Sequence, residues 1–227
     1  MPDAPADIAA EFAHVETWVF DLDDTLYPPG LRLFAQIEAR MTDYVSRLLE
    51  VPMAEADRLR RRYRDAHGTT LAGLMERHGA DPAPYLAHVH DIDFGALAPE
   101  PQLVAALAAL PGRRIVHTNA TAGYAARVLA ARGLADLFDA VYGVEETGFT
   151  PKPRAEAFAR VAAADGLDPA RAAMFEDDPR NLAVPHARGM RTVLVRPAPP
   201  PDRPAHVHHH TDNLAAFLAG LAPVRHG

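Results

Sequence analysis

VFDLDDTLYPP, residues 19–29, decides the fold. The apolar run Trp18-Val19-Phe20 leads directly into Asp21, Asp23 and Asp24, three carboxylates within four residues. A short apolar run cut off by polar residues is how a buried parallel strand reads. In an open parallel sheet, ligands bind beyond the carboxyl ends of the strands, where this cluster would fall. Carboxylates so close together repel one another, so their crowding needs a positive partner.

The pattern repeats downstream. In MFEDDPRNL, residues 174–182, an apolar run ends in Glu176-Asp177-Asp178. Strands are expected at Thr17–Phe20, Arg114–His117, Ala140–Tyr142, Ala172–Phe175 and Thr192–Val195, and helices at Gln102–Ala109, Ala122–Arg132, Arg154–Ala164, Asn181–Arg188 and Asn213–Leu218. This alternation marks βα units and a parallel sheet. It breaks between Leu31 and Ala98, where the pattern gives helices only: Leu31–Leu49, Met53–Ala66, Leu71–His78 and Pro84–His90. The organisation is therefore a sheet-bearing core of residues 1–29 and 99–227, with a helical insertion of residues 30–98 after the first strand. The stretch Arg196–His206 is proline-rich and reads as loop, and the histidines at 206 and 208–210 read as part of a solvated loop.

Composition narrows the function. The chain has 227 residues, 48% of them apolar, a formal charge of −7 and no cysteine. That excludes a thiol nucleophile, a zinc ribbon and a general nucleic-acid or membrane-surface binder. No run reaches the ~18 apolar residues of a membrane span. The segment MPDAPADIAAEFAHVE lacks the apolar core of a leader, so the expectation is a soluble, cytoplasmic protein.

If the strands before Asp21 and Glu176 are neighbours, as many as six carboxylates share one sheet edge. A divalent cation with oxygen ligands answers that, and Mg²⁺ is the natural choice. Thr118 and Asn119 close the Arg114 strand and offer a hydroxyl and a helix N-terminus to an anion. Lys152, between two prolines, has no helical partners and would serve as a phosphate counter-charge. The sum suits phosphoryl transfer.

Asp21, Asp23 and Thr25, then Thr118, then Lys152, then Glu176-Asp177 resemble, in order, the motifs of the haloacid dehalogenase superfamily. The resemblance implies a Rossmann-like core with central strand order 5-4-1-2-3 and a small mobile cap. It further implies that Asp21 is the nucleophile and Asp23 the general acid, then base. Thr118, Asn119 and Lys152 would hold the phosphoryl oxygens. Mg²⁺ would be held by Asp21, Asp23 and Asp177, supported by Glu176 or Asp178. A dehalogenase would lack the second acid, so Asp23 points to a phosphatase or phosphomutase. The stretch from Arg61 to Gly79, with Gly68-Thr69-Thr70 and Gly73-Leu74, resembles the pyrimidine 5′-nucleotidase branch, although His67 stands where that branch commonly has Tyr. The implied substrate is a nucleoside monophosphate such as UMP or CMP, taken by a monomer or homodimer. The alternatives are a phosphatase of phosphoglycolate or a sugar phosphate, and a non-catalytic nucleotide sensor.

Overall fold

The structure, a computed structural model, describes residues 8–199 and 201–221. Residues 1–7, the start of the segment read as lacking a leader, lie outside the described residues, as do Pro200 and residues 222–227. No described helix is long and apolar enough to cross a membrane.

The chain opens with helix α1 (Ile8–Phe12) and strand β1 (Thr17–Phe20). Helices α2 (Leu33–Leu49), α3 (Met53–His67), α4 (Thr70–His78) and α5 (Pro82–Val89) follow without an intervening strand. Helix α6 (Pro101–Ala109) leads into β2 (Arg113–His117), α7 (Ala122–Ala131) and β3 (Ala140–Tyr142). Helix α8 (Ala155–Asp165), β4 (Ala172–Glu176), α9 (Ala183–Ala187), β5 (Arg191–Val195), β6 (His209–Thr211) and α10 (Leu214–Ala219) complete it.

The sheet is parallel, in the order β3-β2-β1-β4-β5-β6. This is the expected 5-4-1-2-3 run with a sixth strand added at one edge. Every residue of β1 and β4 is buried, as both faces of a central parallel strand must be when helices cover them. In register, Phe20 lies beside Phe175, with rings stacked 4.8 Å apart. The Asp21 amide continues the ladder by donating to the Phe175 carbonyl at 2.9 Å. From β1 the chain winds through β2 and β3 to one side, and β4, β5 and β6 continue to the other. The β1–β4 boundary is therefore the topological switch point, where ligands bind in such sheets.

The edge strand β6 corrects the solvated-loop reading of the histidines. His208 Nδ1 accepts from the Thr192 amide at 3.1 Å, and His206 Nε2 lies 2.8 Å from the Pro179 carbonyl. His209 and His210 pair with β5. The tail folds back to cover the sheet edge.

The four inserted helices pack through close contacts. At Gly73 of α4, an added Cβ would stand only 2.4 Å from Tyr63 Cβ of α3. Thr69 caps α4 by accepting from the Ala72 amide at 3.1 Å, a common use of Thr at that position.

Candidate active site

The switch point carries the site. Asp21 follows β1 directly, Glu176 ends β4, Thr118 and Asn119 follow β2, and Lys152 lies on the loop between β3 and α8. A cleft of about 190 Å³ opens here between the sheet edge and the inserted helices. Asp21, Asp23, Asp24, Glu176, Asp177 and Asp178 all line it, so the six carboxylates expected at one edge are together.

Lys152 is buried among them. Its Nζ donates to Asp21 Oδ1 at 2.6 Å, to Glu176 Oε2 at 2.7 Å and to the His117 carbonyl at 2.8 Å. Burial alone would lower its pKa, but Asp21 and Glu176 raise it above the usual range, so it stays an ammonium. It is thus a counter-ion for two carboxylates as well as a candidate partner for phosphate. The backbone that bears it is held by Asn119: the side-chain amide donates to the Lys152 carbonyl at 3.1 Å, and Oδ1 accepts from the Lys152 amide at 2.8 Å. On the other side lies Gly68, at φ +93°, where an added Cβ would stand 3.3 Å from the Lys152 carbonyl and 3.2 Å from Pro153 Cδ.

One ammonium does not neutralise the cluster. Burial first, and then Glu176, push the Asp21 carboxyl up to about 8 despite Lys152. Burial, Glu176 and Asp21 push Asp177 well above the usual carboxylate range. Oxygens of Asp21, Glu176 and Asp177 lie within 4.8 Å of one another, a grouping able to hold a hard cation. Asp178 stands apart from that group. Its Oδ2 pairs with Arg180 at 2.6 Å and its Oδ1 accepts from the Arg180 amide, so of the two supporting acids considered, Glu176 is the one near Asp21 and Asp177.

Asp23 is set differently. Burial raises its pKa, opposed by hydrogen bonds from Tyr27 and Tyr124. Asp24 adopts the left-handed region at φ +57°, its Oδ1 is buried without a partner, and burial with Asp23 lifts it to about 6. Thr118 is buried and lines the cleft, and its hydroxyl accepts from the Ala120 amide at 3.0 Å.

The opposite wall comes from the inserted helices. Phe34, Ile37, Met41, Leu71, Leu86 and Val89 make it mainly apolar. Arg60 is buried in it, bonded to Glu38 and Asp57 at 2.9 Å each. Gly68, Thr69 and Thr70 also line the cleft, while His67 turns to Glu76, its Nδ1 2.8 Å from Oε2.

Sequence reasoning missed Tyr27 and Tyr124, whose hydroxyls reach Asp23, and the burial of Arg60. Tyr27 adjoins the first motif and offered a signal. Tyr124 and Arg60 offered none.

Residues 15–187 match the family model described as haloacid dehalogenase-like hydrolase. A glyceraldehyde 3-phosphate phosphatase of Methanopyrus kandleri is 27% identical over 197 residues, which span 80% of this chain and 84% of that protein. The structure of CbbY from Rhodobacter sphaeroides, in complex with phosphate, superposes with a TM-score of 0.61 at 18% identity, covering 91% of this chain and 99% of that one. The magnesium-bound hydrolase YfnB of Bacillus subtilis gives 0.59 at 18% identity, covering 91% and 98%. These structural likenesses speak for the fold.

Proposed function

The chain belongs to the haloacid dehalogenase-like hydrolases, and from that premise we propose that it is a Mg²⁺-dependent phosphatase of small phosphate monoesters. The observation that carries this is the unequal setting of two neighbouring carboxylates, one held by an ammonium and the other by neutral hydroxyls. Such environments separate a nucleophile from an acid.

Asp21 attacks phosphorus with the oxygen that Lys152 leaves free, and the bond from phosphorus to the ester oxygen breaks. Asp23 gives its proton to the departing oxygen. Water, deprotonated by Asp23, then attacks the aspartyl-phosphate and releases phosphate and Asp21. Lys152, Thr118 and Asn119 steady the phosphoryl oxygens. The carboxylate cluster fits a magnesium ion, which Asp21, Asp177 and the Asp23 carbonyl would hold, with Glu176 in support. When bound, the ion offsets charge on the phosphoryl group and keeps Asp21 ionised. Residues 30–98 act as the cap that excludes water.

The cleft volume favours a short leaving group, because it lies below the ~300 Å³ at which sites for drug-sized ligands begin. A triose or sugar phosphate is the leading substrate class, in keeping with the name of the 27% identical relative. A pyrimidine 5′-nucleotide is the second reading, supported by Gly68, Thr69 and Thr70 in the cleft lining and by the apolar wall, against which a base would lie. A nucleotide would require the inserted helices to move outward. A non-catalytic sensor would have no need of both Asp21 and Asp23.

The test is phosphate release from triose phosphates, sugar phosphates, phosphoglycolate, UMP, CMP and AMP, with Mg²⁺, with EDTA, and with Asp21→Asn. Turnover lost in EDTA and in the variant is expected, with a triose or sugar phosphate best. Preference for UMP and CMP would replace the first substrate reading by the second. No release from any ester by folded, Mg²⁺-bound protein would refute the phosphatase.

A further inference from the structure

The phenols behind Asp23 have no place in the chemistry so far. Tyr27 Oη donates to Asp23 Oδ1 at 2.6 Å, and Tyr124 Oη donates to the same oxygen at 2.8 Å. One phenol comes from the segment after β1 and the other from α7, 97 residues later in the sequence. Both rings are buried, at 1% and 2% exposure. Burial and the Asp23 charge raise both phenolic pKa values, so both hydroxyls keep their protons. The Tyr124 ring is itself braced, stacked on His90 at 4.4 Å with Phe94 against it at 5.9 Å.

A phenol has one proton to donate, and here both protons go to one oxygen. An oxygen already accepting two hydrogen bonds is a poor place for an acidic proton. The neutral acid therefore carries its proton on Oδ2. Asp23 lines the cleft and the two phenols do not, so the occupied oxygen faces the core and the unoccupied one faces the substrate.

We propose that Tyr27 and Tyr124 are positioning residues that fix the Asp23 carboxyl so that Oδ2 presents the proton to the leaving oxygen. The proposal rests on the reading of Asp23 as general acid. The two hydroxyls touch neither substrate nor phosphorus and act only through Asp23.

A leaving group that needs no proton separates this role from a structural one. kcat/KM reports the step up to cleavage of the ester bond, so later hydrolysis does not enter. It would be measured for p-nitrophenyl phosphate, whose leaving group departs unprotonated, and for the alkyl phosphate that the wild-type enzyme hydrolyses best. The variants are Tyr27→Phe, Tyr124→Phe, their double, and Asp23→Asn as reference, each checked for folding by circular dichroism. General acid catalysis contributes on the order of 10²–10⁴-fold, so losing its alignment is expected to cost the double variant roughly 10–100-fold on the alkyl ester. On p-nitrophenyl phosphate the loss is expected to stay within about 3-fold, and Asp23→Asn should show the same selectivity more strongly. Should the double variant fail to fold, the single variants are read in the same way, each with a smaller selective loss. Equal losses on both esters, or no loss on either, while Asp23→Asn remains selective, would overturn the positioning role alone. An unselective Asp23→Asn would remove the acid itself and the proposal with it.

Discussion

Lys152→Met is the sharpest perturbation of the site. It keeps the length of the side chain and removes the charge and three hydrogen bonds, to Asp21, Glu176 and the His117 carbonyl. Breaking a buried ion pair from one side costs about 3–5 kcal/mol, because the other charge is left uncompensated. For a chain of this size, each kcal/mol moves Tm by about 2–4 °C, so a fall of roughly 6–20 °C is expected at a pH where Asp21 is ionised. The pH dependence carries a definite sign. Asp21 titrates at about 8 in the folded chain, against an ordinary value of 3.8. A carboxyl raised on folding binds more protons in the native state, so metal-free protein loses stability as pH climbs through that window. Lys152 opposes the rise, and without it the folded pKa goes higher still. The penalty of the substitution is therefore small while Asp21 is protonated and grows once it ionises. Thermal unfolding in EDTA, followed by circular dichroism at about pH 5, 7 and 9, should show the gap to wild type widening with pH. A gap that stays constant, or one below about 1 kcal/mol throughout, would refute the claim that Lys152 is the cluster's counter-ion.

Two further outcomes follow from the same geometry. Magnesium at about 100 times its dissociation constant should stabilise the protein by roughly 2.7 kcal/mol, and Asp177→Asn should weaken that gain sharply in a thermal-shift titration. Gly73→Ala should cost about 1–3 kcal/mol in urea unfolding, since its Cβ would meet Tyr63 Cβ at 2.4 Å, and a neutral result would deny the close packing of α3 on α4.

The core was legible because central parallel strands are buried on both faces. TWVF and AAMFE read as apolar runs and end in acids at the sheet edge, so strand position and site position came from one pattern. The inserted helices were legible from their periodicity, with ends off by a residue or two at Leu33, Thr70 and Pro82. Strand β6 was not legible. It has three polar residues beyond a proline-rich loop, and its pairing to β5 is a tertiary event without a local signal. The expected helix Asn181–Arg188 begins instead as a 3-10 turn over Pro179–Leu182, with Asp178 capping it and Pro185 following within α9. Arg60 looks like its neighbours in a run of arginines, and only packing selects it for burial between Glu38 and Asp57. Tyr124 reads as an ordinary core aromatic on α7. Its hydroxyl matters because the fold brings it to Asp23 across the sheet edge.

The backbone of Lys152 is held by the Asn119 side chain and closely approached by Gly68. Three segments distant in sequence thus meet on a single residue. Gly68 lies between α3 and α4, so this is where the inserted helices meet the loop after β3. Here the joint is not neutral ground. A transplanted insertion with a larger residue in place of Gly68 would press on the carbonyl of the residue that carries the ammonium, and the graft would either tilt outward or push Nζ off Asp21. A transplanted set of helices has to bring its own small residue at that position, or carry the 150–153 loop along with it.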